Sequence, residues 1–320
     1  MNRNIDLNAL RTFKAVVDAG GFSGAAHQSQ RAVSSISRQI AGLETALGQP
    51  LFYRHTRAVT LTEQGKRYID QVRPWLSELD ERTEALFGNS DGPAGTLTIN
   101  APVAFGQRQV VHLLNSFQRR YPGVAAELRL TDETIDPVRA GCDVTFRVGQ
   151  LSDSSFIAYR LAPMRYVLAA APSYLARHGQ PATPADLADH DCLRYQGEYG
   201  RQRWYCRAPD EATLAPLAVA GSLVSDDAAS LRAAAVLGQG FVLFPSWLIE
   251  QELANATLVP VLTDHEWEVT DRRRAIHLLH AAGREPPPKI AAFIDHVLAE
   301  IGDPPAWDYT WDNTWERTLC

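Results

Sequence analysis

The chain is poor in cysteine: four in 320 residues, at positions 142, 192, 206 and 320, with no CxxC pair. So widely spaced a set builds neither a disulfide frame nor a zinc knuckle, and reads as the reduced thiols of a cytoplasmic protein. Long apolar runs are missing as well. No uninterrupted stretch reaches membrane-spanning length, and the amphipathic start "MNRNIDLNALRTFKAVV" lacks the charged-then-apolar order of an export signal. Positive charge is outweighed, with 31 basic and 37 acidic residues for a net charge of −6. That balance argues against a protein that coats nucleic acid indiscriminately. GxGxxG, Walker A and HExxH are absent, which removes three common signatures of cofactor, nucleotide and zinc chemistry.

What basic charge there is gathers at one end. Residues 1–65 hold seven basic and four acidic side chains, a net +3 that leaves −9 on the remainder. A small basic head on an acidic body is the balance of a site-specific nucleic-acid binder. Within the head, Leu7, Leu10, Phe13, Val16 and Val17 form a helical stripe that Asp6 is placed to cap and Gly20-Gly21 to end. Ser23 is placed to cap a second short helix, "SGAAHQS", whose Ala25 and Ala26 permit close packing. After a turn near Gln30-Arg31 comes "RAVSSISRQIAGLE" (31–44), continuing to Gly48. Its Val33, Ile36, Ile40 and Leu43 recur at three, four and three, which predicts one buried face with Ser34, Ser37 and Arg38 opposite it. Short helices, a tight turn and a helix with a polar outward face spell a helix-turn-helix.

"LFYRHTRAVTLTEQG" (51–65) sets strand formers around the charged tip Arg54-His55-Thr56-Arg57 and predicts a β-wing. Thr62 is placed to cap a long helix with apolar or small residues at Gly65, Ile69, Val72, Leu76, Leu79, Thr83 and Leu86. That heptad spacing predicts pairing with a second helix and hence a dimer; packing against its own domain is the other use of such a stripe. Pro74 lies within it and predicts a kink or a later helix start. "GNSDGPAG" (88–95) reads as a hinge. Beyond it, strand patterns at 96–100, 126–130, 143–149 and 165–171 mix with helical patterns at 105–122 and 230–240, the latter turning into "FVLFP". This is the order of an α/β domain with a largely parallel or mixed sheet. The tryptophan-bearing "DPPAWDYTWDNTWERTLC" reads as a peripheral tail.

The head segments "LNALRTFKAVVDAGGFSGAA" and "SISRQIAGLETALGQPLFYRHTRAVTLTEQG" resemble the LysR-type transcriptional regulators. The likeness continues through "GCDVTFRVGQLSDSSFIAYRLAPMRYVLAAAPSYLARHG", "HDCLRY", "LGQGFVLFPSWL" and "PPPKIAAFIDHVL", covering roughly residues 5–302. The resemblance implies an α/β protein with a winged helix-turn-helix in residues 1–65 and a linker helix and hinge in 66–92. An effector domain like the periplasmic binding proteins would follow in 93–302, and a tail in 303–320. Its lobe I would hold about 93–165 and 268–302, its lobe II about 166–267, with a small-molecule cleft between them. The implied function is sequence-specific transcriptional regulation in the cytoplasm by a homodimer or homotetramer, with neither enzymatic activity nor a cofactor. Its partners would be double-stranded DNA with a dyad-related site and an unidentified small-molecule effector, with no membrane contact.

Carried onto this chain, the resemblance puts Ser34, Ser35, Ser37 and Arg38 on the recognition helix and Arg54 and Arg57 on the wing. An arginine fork matches the acceptors of guanine in the major groove, and wing arginines suit phosphates or the minor groove. The effector residues implied are Ala101, Pro102 and Val103 after the first effector-domain strand, where helix-terminal N–H groups suit an anion. Thr131 follows the second strand. Arg147 alternates with Phe146 and calls for a ligand carboxylate or an internal acid such as Asp143. Asp226 stands where relatives often have asparagine, beside Asp227, with helix capping as the structural use of both. In the head, Ser29 stands where relatives usually have an aliphatic residue, Gln30 where they have glycine, and Val33 where many have glutamine. No base preference is therefore carried over.

The remaining chemistry-bearing residues fit packing better than catalysis. "GGFSGA" lies in the head and does not form GxSxG. His277 and His280 fall in an expected strand, where i and i+3 point to opposite faces and share no metal. His190 and Cys192 have no further ligands in sequence, and Cys142 has no evident base. The competing reading is a solute-binding protein or enzyme built on the two lobes, with the head serving assembly.

Overall fold

The computed structural model describes residues 5–308, apart from 56–57, 88–91, 139, 150, 152–155, 198–199 and 283–285. The chain divides into two compact units, residues 1–91 with 135–143, and residues 92–134 with 144–320.

In the first unit, α1 (Leu7–Asp18), α2 (Phe22–Ser29) and α3 (Val33–Leu47) enclose a core of Phe13, Val16, Ile36, Ile40, Leu43, Leu51 and Phe52. Phe13 sets its ring edge-on to Phe52 at 5.5 Å and stacks on Tyr68 at 6.0 Å, contacts that add to its burial. The Asp6 side chain caps α1 by accepting from the Asn8 N–H at 3.1 Å. Ser23 does not cap α2: the helix begins one residue earlier, after Gly21, and carries no side-chain cap. The turn into α3 is made by Gln30 in the left-handed region, at φ 52°, a conformation that penalises any residue with a Cβ. Gln30→Gly is expected to stabilise the head by about 1 kcal/mol, read as a higher denaturation midpoint; an unchanged or lower midpoint contradicts this.

β1 (Phe52–His55) and β2 (Ala58–Leu61) form the antiparallel wing, with Phe52 opposite Leu61. Glu44 fixes its entry by accepting from the Leu51 and Phe52 N–H groups at 2.8 and 3.2 Å. Thr56 and Arg57 of the tip lie outside the described residues. α4 (Glu63–Phe87) starts where Thr62 Oγ1 accepts from the Gly65 N–H at 2.9 Å, and it runs through Pro74 as one helix. Gly65 serves close approach: a Cβ there would lie 2.2 Å from the Leu51 carbonyl oxygen.

The heptad stripe is divided in its use. Ile69, Val72 and Leu76 are buried, Ile69 within the head core. Ion pairs of Arg73 with Asp18 (2.8 Å) and of Arg11 with Asp80 tie α4 to α1. Farther along, Leu79 is 40% exposed, and Trp75, beside the stripe, is 70% exposed. Of the two uses the stripe offered, packing on its own unit takes the first part, because one face of α4 closes the head.

The second unit begins with β3 (Gly95–Ala101), then a helix in three pieces. These are α5 (Val103–Phe105), a π-helical turn (Gly106–Val110) and α6 (Val111–Arg120), where the sequence pattern gave one continuous helix. β4 (Val124–Leu130), β5 (Val144–Gly149) and β6 (Phe156–Pro163) follow. The chain then crosses to β7 (Tyr166–Ala170), α7 (Pro172–His178), β8 (Arg194–Gly197), β9 (Gly200–Arg201), β10 (Trp204–Arg207), β11 (Ala215–Leu217) and β12 (Val224–Ser225). Next come α8 (Ala228–Val236), β13 (Val242–Pro245), α9 (Ser246–Ala254), β14 (Val259–Pro260) and β15 (Glu266–Glu268). A second crossing returns it to β16 (Ala275–Ala281) and α10 (Pro288–Ile301).

One lobe is therefore a mixed sheet in the order β4-β3-β5-β16-β6, with β3 parallel to β4 and β5, and β16 antiparallel to its neighbours. The other lobe is built on three three-stranded sheets, β13-β7-β14, β12-β8-β9 and β11-β10-β15. The two crossings meet where the Met164 N–H donates to the Arg274 carbonyl at 2.9 Å. A single apolar core runs through both lobes, and the first turn of the tail joins it: buried Trp307 meets Phe105 edge-on, as does Trp247.

The π turn also ties the lobes together. Arg108 Nη2 donates to both oxygens of Glu252 at 2.8 Å, with Arg232 on the same carboxylate, and Gln109 Nε2 donates to the Trp247 carbonyl at 3.1 Å. π turns inside α-helices recur at functional sites, and this one begins at a glycine that close packing requires. A Cβ on Gly106 would lie 2.1 Å from Leu130 Cδ2.

Candidate nucleic-acid interface and effector cleft

The helical repeat puts Ser34, Ser37 and Arg38 on one side of α3, with Ile36, Ile40 and Leu43 turned into the core. Ser34 and Arg38 are exposed and Ser37 half-buried. Val33, expected on the buried face, is 46% exposed: it occupies the first turn of α3, beyond the reach of the α1–α2 core. Ser35 turns to the flank, where the Arg31 guanidinium donates to its hydroxyl at 3.2 Å. Arg31 also donates to Gln39 Oε1 at 3.0 Å, and Thr12 Oγ1 of α1 donates to that same oxygen at 2.8 Å. Arg31 is thus a strut that fixes α3 on α1. Its only trace in the sequence is the four-residue spacing to Ser35 and the eight-residue spacing to Gln39, a helix face read too late by one turn. Arg54 lies on β1; Arg57 lies outside the described residues.

In the second unit, Ala101 ends β3 and is buried, while Pro102 and Val103 open α5. The anion expected at this helix start meets a carboxylate of the chain itself, because Asp132 Oδ1 accepts from the Val103 N–H at 3.0 Å. Thr131, adjoining it, bonds through its N–H to the Ala101 carbonyl at 3.1 Å and accepts from the Glu133 N–H at 3.1 Å. Asn100 pairs with Thr145, so Arg147 stands two residues farther along β5, at the level where the chain leaves β3. It is half-buried, opposite His277 on β16. The His277 imidazole is held below its ordinary pKa by burial, then by the charge of Arg160.

From the other lobe, Ser225 pairs with Tyr195 and Asp226 follows it. Asp227 is the N-cap of α8, accepting from the Ala229 and Ser230 N–H groups at 3.2 and 3.0 Å. Burial raises the Tyr195 hydroxyl pKa, followed by the negative charges of Asp132, Asp226 and Asp227. The Tyr195 hydroxyl thus feels the charge of carboxylates from both lobes. Asp132 and Tyr195 escaped sequence reasoning, because neither position has a motif and their proximity is set only by the lobe arrangement.

Other residues are settled by packing. The His190 ring meets the Tyr174 hydroxyl at 3.2 Å, and burial pushes the Cys192 thiol up to about 12. His280 is buried against Tyr159, on the opposite strand face from His277. Among the described residues, no group of three or more His, Cys, Asp or Glu side chains is gathered to hold a metal ion. Nor is any helix among them long and apolar enough to cross a membrane.

A winged helix-turn-helix with a polar face turned outward, followed by a two-lobed α/β domain, defines a DNA-binding protein that also receives a ligand. Comparison with known proteins places it further. Residues 7–66 match the bacterial regulatory helix-turn-helix model of the lysR family, and residues 90–302 match the LysR substrate binding domain. The chain is 32% identical over 289 residues to the HTH-type transcriptional activator AaeR of Escherichia coli, covering 90% of this chain and 92% of that one. The full-length Vibrio cholerae virulence activator AphB superposes with a TM-score of 0.58 at 29% identity, covering 92% of this chain and 99% of that one. CrgA of Neisseria meningitidis, a LysR-type transcriptional regulator, gives 0.56 at 26%, covering 93% and 99%. The chain belongs to the LysR family: it is a DNA-binding transcriptional regulator with an effector-binding domain.

Proposed function

We propose that two subunits lay α3 into successive major grooves of a dyad-related duplex site, with Ser34, Ser37 and Arg38 against base edges and phosphates. The observation that carries this reading is the outward polar face of α3, held on α1 by the Arg31–Gln39–Thr12 contacts. In it, Ser35 supports the helix while Arg54 and Arg57 bring the wing to the flanking backbone. Residues 1–65 act as the reading head and 66–92 as the linker. The exposed Trp75 and Leu79 on α4 support pairing of two chains, as a dimer or as half of a tetramer.

The effector occupies the cleft of residues 93–302 beside Ala101, Pro102, Val103, Thr131, Arg147 and Asp226, where it shifts the lobes and so the spacing of the heads. Asp132 on the Val103 N–H, with Asp226 and Asp227 across the cleft, sets negative charge against the positive charge of Arg147, a mixed lining that suits a polar ligand. The protein works in the cytoplasm and catalyses no reaction.

Footprinting of the whole protein on a site selected from random duplexes tests the arrangement. The expected pattern is two equal protected half-sites about one helical turn apart or a multiple of it. A single protected patch without symmetry would overturn it.

A further inference from the structure

Val33 stands out on the head. Its neighbours in the helical stripe are buried, yet its own side chain is 46% exposed in the first turn of α3. Valine favours neither a helix nor contact with water, and here nearly half of the residue's surface stays in solvent. Around the helix it lies about 40° from Ser37 and about 100° from Ser34, by the 100° step per residue. It thus borders the polar face assigned to the groove. Serine hydroxyls and a guanidinium can read hydrogen-bonding edges, but two valine methyls can neither donate nor accept. In the major groove the one apolar feature on a base edge is the C5-methyl of thymine.

We propose that Val33 is a specificity-determining residue of the DNA-binding reaction, reading a thymine methyl in each half-site. The inference rests on α3 being the recognition helix. Ser34, Ser37 and Arg38 then supply hydrogen bonds, and Val33 selects thymine over cytosine, guanine and adenine at one position through the methyl alone. Because it sits at the helix start, that thymine lies under the first turn of α3, apart from the base read by Arg38.

The test uses the full-length protein and a duplex that it selects from a random pool. Each thymine is replaced singly by deoxyuridine, which removes the methyl and keeps the base pair. For the wild type, one replacement in each half-site is expected to weaken binding about 3- to 10-fold, on the scale of one desolvated methyl contact. Val33→Ala, a change at an exposed position that favours the helix, is expected to bind the unmodified duplex correspondingly less well. It should lose sensitivity at that thymine while keeping its response elsewhere. Val33→Ile should keep the sensitivity.

If wild type and Val33→Ala respond alike at every thymine, the inference fails. Should Arg38→Ala select the same sites as wild type, it is the recognition-helix reading that fails. The two failures are therefore told apart.

Discussion

Replacing Arg38 by alanine is expected to lower affinity for the selected duplex about 10- to 100-fold while leaving affinity for a scrambled duplex within a few-fold. The size follows from a bidentate arginine–guanine contact, worth about 1–3 kcal/mol of discrimination. Affinity for scrambled DNA rests on phosphate neutralisation, of which one guanidinium is a small part. Folding should be indifferent, since Arg38 is exposed and the core face of α3 is carried by Ile36, Ile40 and Leu43; such substitutions stay within about 0.5 kcal/mol. Lysine is not expected to rescue, because an ammonium lacks the planar fork. Equal loss on selected and scrambled DNA would make Arg38 a phosphate contact.

The second large effect lies in the second unit, at the crossing between the lobes. Glu268 is 3% exposed and its Oε2 has no hydrogen-bond partner among the described residues. Around it lie Tyr166, Glu266, Arg273 and Arg274, and the Arg274 guanidinium is drawn to the Tyr166 hydroxyl at 3.1 Å. Burial pushes the Glu268 carboxyl pKa from 4.5 to about 7, with the negative charge of Glu266 adding to it and Arg274 opposing it. The raised value fixes the sign. Between pH 4.5 and 7 the unfolded chain has lost this proton and the folded chain retains it, so stability falls as pH rises through that window.

Above pH 7 the destabilisation from this group amounts to about 3 kcal/mol. Glu268→Gln, of the same shape and uncharged, is expected to raise the denaturation midpoint at pH 8 by several degrees and to change it little at pH 4.5. A variant less stable at pH 8, or equally stabilised at both values, would contradict this.

The head was legible because its signals are local. The stripe through Leu10 and Phe13, the Asp6 and Thr62 caps and the strand formers of the wing each depend on neighbours within a few residues. What failed there failed at ends. Ser23 lost the cap to Gly21, and Val33 kept the helical period but ran past the end of the core that period was meant to meet. The α4 stripe shows a different limit: periodicity reports that a face will be covered, and Asp18 and the head core, remote in sequence, decide by what.

In the second unit the alternation of strands and helices was readable, but the π turn was not. The contacts made there, Leu130 against Gly106 and Glu252 with Arg108, span 24 and 144 residues. For the candidate cleft, strand ends nominated Ala101 and Thr131 and the alternation along β5 nominated Arg147, whereas the places of Asp132 and Tyr195 are set by lobes that no local pattern brings side by side.

The most direct test of the account is to titrate the full-length protein with its selected duplex and with a scrambled one across a range of salt concentrations. Both affinities should fall with salt, while the selected duplex keeps an advantage of about a thousandfold or more that Arg38→Ala largely removes. Two curves that coincide at every salt concentration would contradict the account, leaving the head a basic surface without a site to read.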